Sequence, residues 1–152
     1  MTLPQRIVDC ARSWIGTRFH HQGRLKCTAT DKGGVDCLGL LVGIARELEL
    51  TMEDGTPLSS LDQTDYTLTP DTDLLRQKLA QALLEIDPDD ASLGDVLLLS
   101  MDGRPQHMGI VSDTPHGYGL IHAYAPSRAV VEHELDRYWR KKIIAAFHLS
   151  AL

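Results

Sequence analysis

A cysteine stands at the predicted start of a helix in the stretch GGVDCLGLLVGIARELEL, residues 33–50. Glycines before Cys37 permit a tight turn, and Asp36 is placed to cap the helix. The N–H groups at a helix start favour the thiolate, the nucleophilic form of cysteine, and can also bind an oxyanion. Cys37 is therefore a candidate nucleophile that we expect to react with alkylating reagents below about pH 8. A buried structural cysteine is the alternative.

Two histidines fall where they can assist such a thiol. A thiol nucleophile needs a base, and the base needs a third group to orient it. Among seven histidines, His107 and His122 lie in successive predicted strands, PQHMGIV and LIHAYA. A hairpin between these strands would place both imidazoles on one face, and Gly109 leaves room beside them. His107 is the candidate base and His122 the candidate orienting group, although a structural role is the alternative for each alone.

Three of the other histidines, His116, His133 and His148, are predicted to have structural or loop roles. His116 lies in a turn, and His133 and His148 lie in strands that can alternate outward. A zinc site at which His20, His21 and His107 converge is an alternative, but no helical His-x-x-x-His spacing supports it. Three cysteines with no Cys-x-x-Cys pair provide neither a disulfide framework nor a zinc motif. We predict no metal and no cofactor.

The predicted secondary structure changes along the chain from helices to short strands. Apolar side chains recur at helical spacing over residues 4–15 and after Asp36, and a third helix is predicted over 71–86, capped by Asp71 or Thr72. Short strands follow at 95–100, 107–113, 119–125, 128–135 and 142–149. Helices followed by about five antiparallel strands predict an α+β fold.

Length and charge limit the classes of function. A chain of 152 residues is expected to form one domain, over residues 1–152. The net charge of −6 argues against a nucleic-acid partner or a polybasic membrane surface. No run of residues is apolar enough for a signal peptide or for membrane insertion. We therefore expect synthesis in the cytoplasm without a signal peptide.

Four motifs, DCLGLL, LGDVLLL, HMGIV and LIHAYA, resemble in this order the motif series of NlpC/p60-type cysteine peptidases. These are papain-like enzymes that cut peptide bonds in bacterial cell walls. The resemblance runs from Ile15 to about Val131 and implies N-terminal helices packed on a C-terminal antiparallel sheet. It implies Cys37 as nucleophile, His107 as base and His122 as the third polar residue. The segments WIGTRFHHQGR and VVEHELDRYWRKKIIAAF are most similar to short peptidases encoded among phage tail genes and gene-transfer-agent clusters.

Two residues depart from the family pattern. Leu38 stands where the family usually has serine, and Phe19 where it usually has a tyrosine near the active site. Phe19 has no donor for a substrate or an oxyanion. Gln22, His20 or His21 can supply one instead, or the HHQ segment is ordinary loop sequence.

Two further features concern the surroundings of the thiol. Asp36 is expected to cap the helix rather than react, because a carboxylate beside a thiol raises the thiol pKa. The separation of Cys37 from His107 is long for the family, and the acidic loop and helix at about 51–86 are predicted to be an insertion.

The resemblance implies a substrate and a setting. The expected substrate is the peptidoglycan stem peptide, cut between D-glutamate and the following diamino acid. The expected setting is a phage virion or tail, with tail-tip proteins as partners and the periplasmic cell wall as the site of action. Three alternatives remain open: an inactive structural tail component, a thiol acyltransferase of the same architecture, and an unrelated cytosolic amidase acting on small amides.

Overall fold

The computed structural model describes residues 1–62, 74–101 and 104–149. Its helices are α1 (Leu3–Arg12), α2 (Cys37–Glu47), α3 (Leu74–Ala82) and α4 (Arg137–Arg140). Its strands are β1 (Arg24–Leu25), β2 (Gly34–Val35), β3 (Leu84–Ile86), β4 (Val96–Met101), β5 (Arg104–Thr114), β6 (Gly117–Tyr124), β7 (Ala129–Glu134) and β8 (Ile143–His148). The predicted α+β fold, with helices preceding an antiparallel sheet, is confirmed.

The main sheet has six strands in the order β3-β8-β4-β5-β6-β7, and every neighbouring pair is antiparallel. All five predicted strands are present, and β3 is an addition. The prediction that a helix continues to Ile86 is wrong: α3 ends at Ala82, and Leu84–Ile86 pairs with β8 instead. Pairing satisfies the backbone groups of this segment at the sheet edge. The predicted caps Asp71 and Thr72 lie outside the described residues.

The first helix is shorter than its apolar pattern suggests. The prediction of residues 4–15 is wrong at the C-terminal end, because α1 stops at Arg12 and the chain turns through to Gly16, whose φ is +92°. At the other end Thr2 and Gln5 form a capping box, in which each side chain accepts the backbone N–H of the other residue. The following loop, residues 17–34, is mostly irregular, and the short antiparallel pairing of β1 with β2 closes it.

Apolar side chains fill both faces of the sheet. On one face α1 and α2 pack against strand residues such as Val96 and Phe147. Helix α2 also lies close to the turn that follows α1, because a side chain at Gly43 would collide with the Trp14 ring. On the other face α4, which the sequence did not predict, places Trp139 over a smaller cluster. Within the described part of the chain, no helix is long and apolar enough to cross a membrane.

Candidate active site

Cys37 is the first residue of α2 and directly follows the residue that caps it. The Asp36 side chain accepts the Gly39 backbone N–H at 2.8 Å, so the predicted helix cap is confirmed. The helix lies close to the preceding loop here, because a side chain at Gly39 would collide with the Gly23 carbonyl. The cap and this close approach together fix the start of α2, and with it Cys37, relative to the preceding loop.

Asp36 also ties the helix start to the loop before it. Its carboxylate accepts the backbone N–H of Gln22 at 2.8 Å and lies 3.0 Å from the Arg24 guanidinium. The Nε of Arg24 bonds to Asp62 at 2.7 Å. Since Asp36 is only 4% exposed, these bonds replace the water that the carboxylate loses on folding. The loop and the helix therefore form one unit around the thiol.

The Cys37 thiol lies against the backbone of β5, the strand that carries His107. The backbone N–H of Met108, the residue after His107, lies near the sulfur. Cys37 also lines a small, mostly apolar pocket between α2 and the sheet, together with Leu40, Leu41, Val96, Met108, Gly109 and Ile110. Among the described residues, Cys37 forms no direct hydrogen bond with the His107 imidazole. The strand register puts the His107 side chain on the same sheet face as Leu99 and Trp139, whereas α2 packs on the other face, so the structure does not bring the His107 imidazole into contact with the Cys37 thiol.

The Cys37 thiol holds its proton in this resting geometry. Burial raises its pKa to about 12, and the negative charge of Asp36 adds to the effect. The backbone N–H groups of Met108, Leu38 and Cys37 lower the pKa but do not offset the burial. The expectation that the helix start makes Cys37 unusually acidic is therefore wrong, whereas the expected effect of Asp36 is correct.

His107 and His122 contact each other directly. The Nε2 of His107 lies 2.6 Å from the Nδ1 of His122. In the β5–β6 ladder Ile110 faces Ile121, which places Gly109 beside His122. A side chain at Gly109 would meet the His122 Cβ at 3.1 Å, so the glycine leaves the room that the sequence suggested.

A third histidine, His133, extends this pair. The Nε2 atoms of His122 and His133 are 2.8 Å apart, and the Nδ1 of His133 lies 2.8 Å from the carbonyl oxygen of Glu134. The prediction that His133 points away from the site is wrong. In the β6–β7 ladder His122 faces Val131, so His133, two residues further on, shares its face and lies on the diagonal.

Aromatic rings cover the histidine chain. The Tyr124 ring stacks on His122 with centroids 4.9 Å apart, and Trp139 contacts both His122 and His133 at 4.9 Å. Burial lowers the pKa of His107 to about 4. Burial, followed by the charges of His107 and His133, lowers the pKa of His122 to about 2. Both imidazoles are therefore neutral at pH 7, and His107 is able to accept a proton.

The four remaining candidates near the thiol differ in position. Leu38 is buried in the core at 8% exposure, and Phe19 packs partly buried against the same core. His21 is half-buried, and its carbonyl oxygen lies 2.9 Å from the Nδ1 of His20. Gln22 has a positive φ of 61°, an uncommon conformation that its bond to Asp36 helps to hold. None of these contacts assigns a substrate-binding role, so all four roles stay predictions.

The other histidines have the structural surroundings that were expected. His116 lies in an exposed turn, and the Nδ1 of His148 bonds to the buried Asp95 at 2.7 Å. Across residues 1–62, 74–101 and 104–149, no group of three or more histidine, cysteine, aspartate or glutamate side chains has metal-binding geometry.

The pKa of Cys37 predicts its alkylation behaviour. Cys27 and Cys37 are both partly exposed, but with iodoacetamide at pH 7 we expect the native protein to label mainly at Cys27. Cys37 and Cys10 should label slowly, because burial raises both pKa values to about 12. Labelling of Cys37 should then rise about tenfold per pH unit up to pH 9, as the thiolate fraction does. Peptide mass spectrometry measures this, and a plateau for Cys37 below pH 7 would contradict the neutral resting thiol.

Comparisons with known proteins identify the architecture. The NlpC/p60 domain of the peptidoglycan hydrolase SagA has a TM-score of 0.61 and 20% identity, over 96% of this chain and 98% of that one. The P60 domain of an antigen from M. avium subspecies paratuberculosis has a TM-score of 0.62 and 14% identity, over 98% and 96%. An N-acetylmuramoyl-L-alanine amidase from Bacteroides uniformis has a TM-score of 0.54 and 12% identity, over 95% and 98%.

The sequence itself gives no such match. No model of a protein family matches it, and neither does any curated protein. Structural neighbours at these identities share a fold, and function has to be argued from the site. The chain therefore has the papain-like α+β fold of NlpC/p60 domains.

Proposed function

We propose that this protein is a cysteine peptidase that hydrolyses peptide bonds of peptidoglycan. The observations that support the proposal are a thiol at the start of α2 beside the backbone of β5, and the direct contact of the neutral His107 and His122 imidazoles on β5 and β6. A thiol, a base and a group that orients the base are the parts that nucleophilic acyl transfer requires. The NlpC/p60 neighbours, whose names include a peptidoglycan hydrolase and an amidase, support this substrate class.

The first half of the reaction forms a thioester. His107 takes the proton from the Cys37 sulfur as the sulfur attacks the carbonyl carbon of the scissile bond. Because the resting thiol is neutral, proton transfer accompanies attack. The backbone N–H groups of Cys37 and Leu38, which already lie near the sulfur, donate to the resulting oxyanion. The C–N bond then breaks, and the leaving amine takes the proton from His107.

The second half restores the thiol. A water molecule gives a proton to His107 and attacks the thioester carbonyl, and the sulfur leaves with that proton. The product is a free carboxylate. His122 keeps the His107 ring oriented throughout, since its Nδ1 lies 2.6 Å from the His107 Nε2.

The finer proposal concerns the bond and the setting. By resemblance of its motifs, the enzyme cuts between D-glutamate and the following diamino acid of the stem peptide. Its proposed place is a phage virion or tail, with tail-tip proteins as partners, where it opens the periplasmic cell wall.

The test uses muropeptides whose stem peptide carries D-glutamate followed by a diamino acid. Digestion in water enriched in ¹⁸O is expected to release a fragment with a new amino group and one with ¹⁸O in a new carboxylate, both visible by mass spectrometry. A Cys37→Ala protein purified in parallel accounts for contaminating hydrolases. Transfer of the acyl group to an amine without ¹⁸O would instead identify an acyltransferase. Intact muropeptides would contradict the proposal, and cleavage at another bond would contradict the finer one.

A further inference from the structure

We propose that His133 is a positioning residue that sets the tautomers of His122 and His107, so that His107 Nδ1 is left as the proton acceptor. This inference rests on the proposed function, because it concerns how the base is prepared for the thiol. It involves a chain of three imidazoles that ends on a backbone carbonyl group.

The argument begins at the carbonyl end of the chain. The Glu134 carbonyl oxygen, 2.8 Å from His133 Nδ1, can only accept a hydrogen bond. The proton of a neutral His133 must therefore be on Nδ1. A neutral imidazole has a single N–H group, so the Nε2 of His133 is an acceptor.

The same argument applies to the next two hydrogen bonds, from His122 to His133 and from His107 to His122. His122 must donate from Nε2 to His133 across 2.8 Å, so its own Nδ1 is an acceptor. His107 must then donate from Nε2 to that atom across 2.6 Å. The atom of His107 that remains without a proton is Nδ1. A fixed carbonyl oxygen two imidazoles away thus selects the tautomer of His107 that can act as a base.

The surroundings of the three imidazoles keep their hydrogen bonds in one direction, with each ring donating towards the Glu134 carbonyl group. His122 is fully buried, and Tyr124 and Trp139 cover its ring, so water has no ready access to its nitrogens. Trp139 also contacts the His133 ring, with centroids 4.9 Å apart and planes inclined by 33°. Without the acceptor at residue 133, His122 can equally protonate Nδ1 and donate to His107. That arrangement puts the His107 proton on Nδ1, where it blocks the base.

The direct test is long-range ¹⁵N–¹H NMR of histidine-labelled protein at pH 8, which assigns tautomers without any substrate. We expect Nε2–H for His107 and His122 and Nδ1–H for His133. In a His133→Leu variant we expect part of the His107 population to change to Nδ1–H. Finding His107 as Nδ1–H in the wild type, or no change in the variant, would overturn the proposal.

The kinetic test compares His133→Leu with His133→Gln, whose side-chain carbonyl can accept from His122 Nε2. Loss of an orienting partner commonly costs about 10- to 100-fold in activity. We expect a loss of this size in kcat for His133→Leu, with little change in KM, and recovery of most of the activity in His133→Gln. A His116→Leu variant, at an exposed turn, should match the wild type.

The two proposals fail in different ways. If the wild type does not cleave muropeptides but its tautomers are as expected, the proposed function fails and the histidine chain stands. If the wild type cleaves them and His133→Leu is as active as His133→Gln, the positioning role fails and the peptidase stands. Equal loss of activity in both variants would also contradict it, because a packing role alone predicts that result.

Discussion

Cys37→Ala, His107→Ala and the variant carrying both substitutions are expected to share one residual rate of muropeptide hydrolysis, on the order of 10⁶-fold below the wild type. The thiol attacks only as His107 takes its proton, because its own pKa of about 12 leaves almost no thiolate at pH 7. Removing either partner therefore removes the same step. The effects of residues that act as one unit do not add.

The measurement is kcat/KM on muropeptides for the wild type, the two single variants and the double variant. A control for loss of fold is the thermal unfolding temperature of each protein. His148→Ala provides a matched histidine control, because it removes a partly exposed imidazole from the same sheet, bonded to Asp95 and not to the site. A double variant much slower than either single variant would show that Cys37 and His107 act independently, and the proposed mechanism would fail.

The strands and their histidines were predictable because the evidence for them is local. Alternating apolar residues define each strand, and the glycine two residues after His107 indicates space beside its neighbour. These features were sufficient to place His107 and His122 on one face, where the structure has them 2.6 Å apart. The α+β fold follows from the change of hydrophobic period after residue 94, from helical spacing to short strands. This change is visible in the sequence without knowledge of any tertiary contact.

His133 could not be assigned in the same way. Its place depends on the register of β7 against β6, in which His122 faces Val131. A shift of one residue would turn His133 to the opposite face. Nothing in the sequence of β7 alone specifies that register. The pairing of Leu84–Ile86 with β8 is a similar case. A short apolar segment after a helix can continue the helix or form a strand, and the strand with which it pairs lies far along the chain.

The thiol pKa was misjudged for a related reason. A cysteine at a helix start can be recognised from sequence, but the depth at which tertiary packing buries it cannot. In the structure burial opposes the helix N–H groups and dominates. Asp36 was assigned correctly as a cap, and its carboxylate does more than cap: it also joins Gln22 and Arg24 to the helix start.

Replacing Asp36 by alanine is expected to lower the free energy of unfolding by about 2–4 kcal/mol. The carboxylate is 4% exposed, and the side chain of its partner Arg24 is 16% exposed. Removing the Asp36 carboxylate takes away the acceptor of the Gln22 and Gly39 N–H groups, whereas Arg24 keeps its bond to Asp62. Loss of the helix cap contributes about 1 kcal/mol within that range.

Urea unfolding at pH 7 measures this change. Asp36→Asn should lose less stability than Asp36→Ala, because its amide oxygen still accepts the Gly39 N–H. An Asp54→Ala variant is the matched control: Asp54 accepts the backbone N–H of Thr56 in an exposed turn, so its replacement should leave the free energy of unfolding nearly unchanged. Equal stabilities of Asp36→Ala and Asp54→Ala would show that the Asp36 carboxylate does not hold the site together.

The substitutions that lower the stability of the protein should at the same time raise the reactivity of the Cys37 thiol. Because the negative charge of Asp36 raises the pKa of Cys37, Asp36→Asn is expected to lower that pKa and speed alkylation of Cys37 at pH 8. A less stable protein with a more reactive cysteine is the combined result that the geometry requires. Faster labelling of Cys10 as well would indicate general loosening, since Cys10 is paired with Glu47 away from Asp36. Labelling that rises at Cys37 alone would separate the electrostatic effect of Asp36 from its structural one.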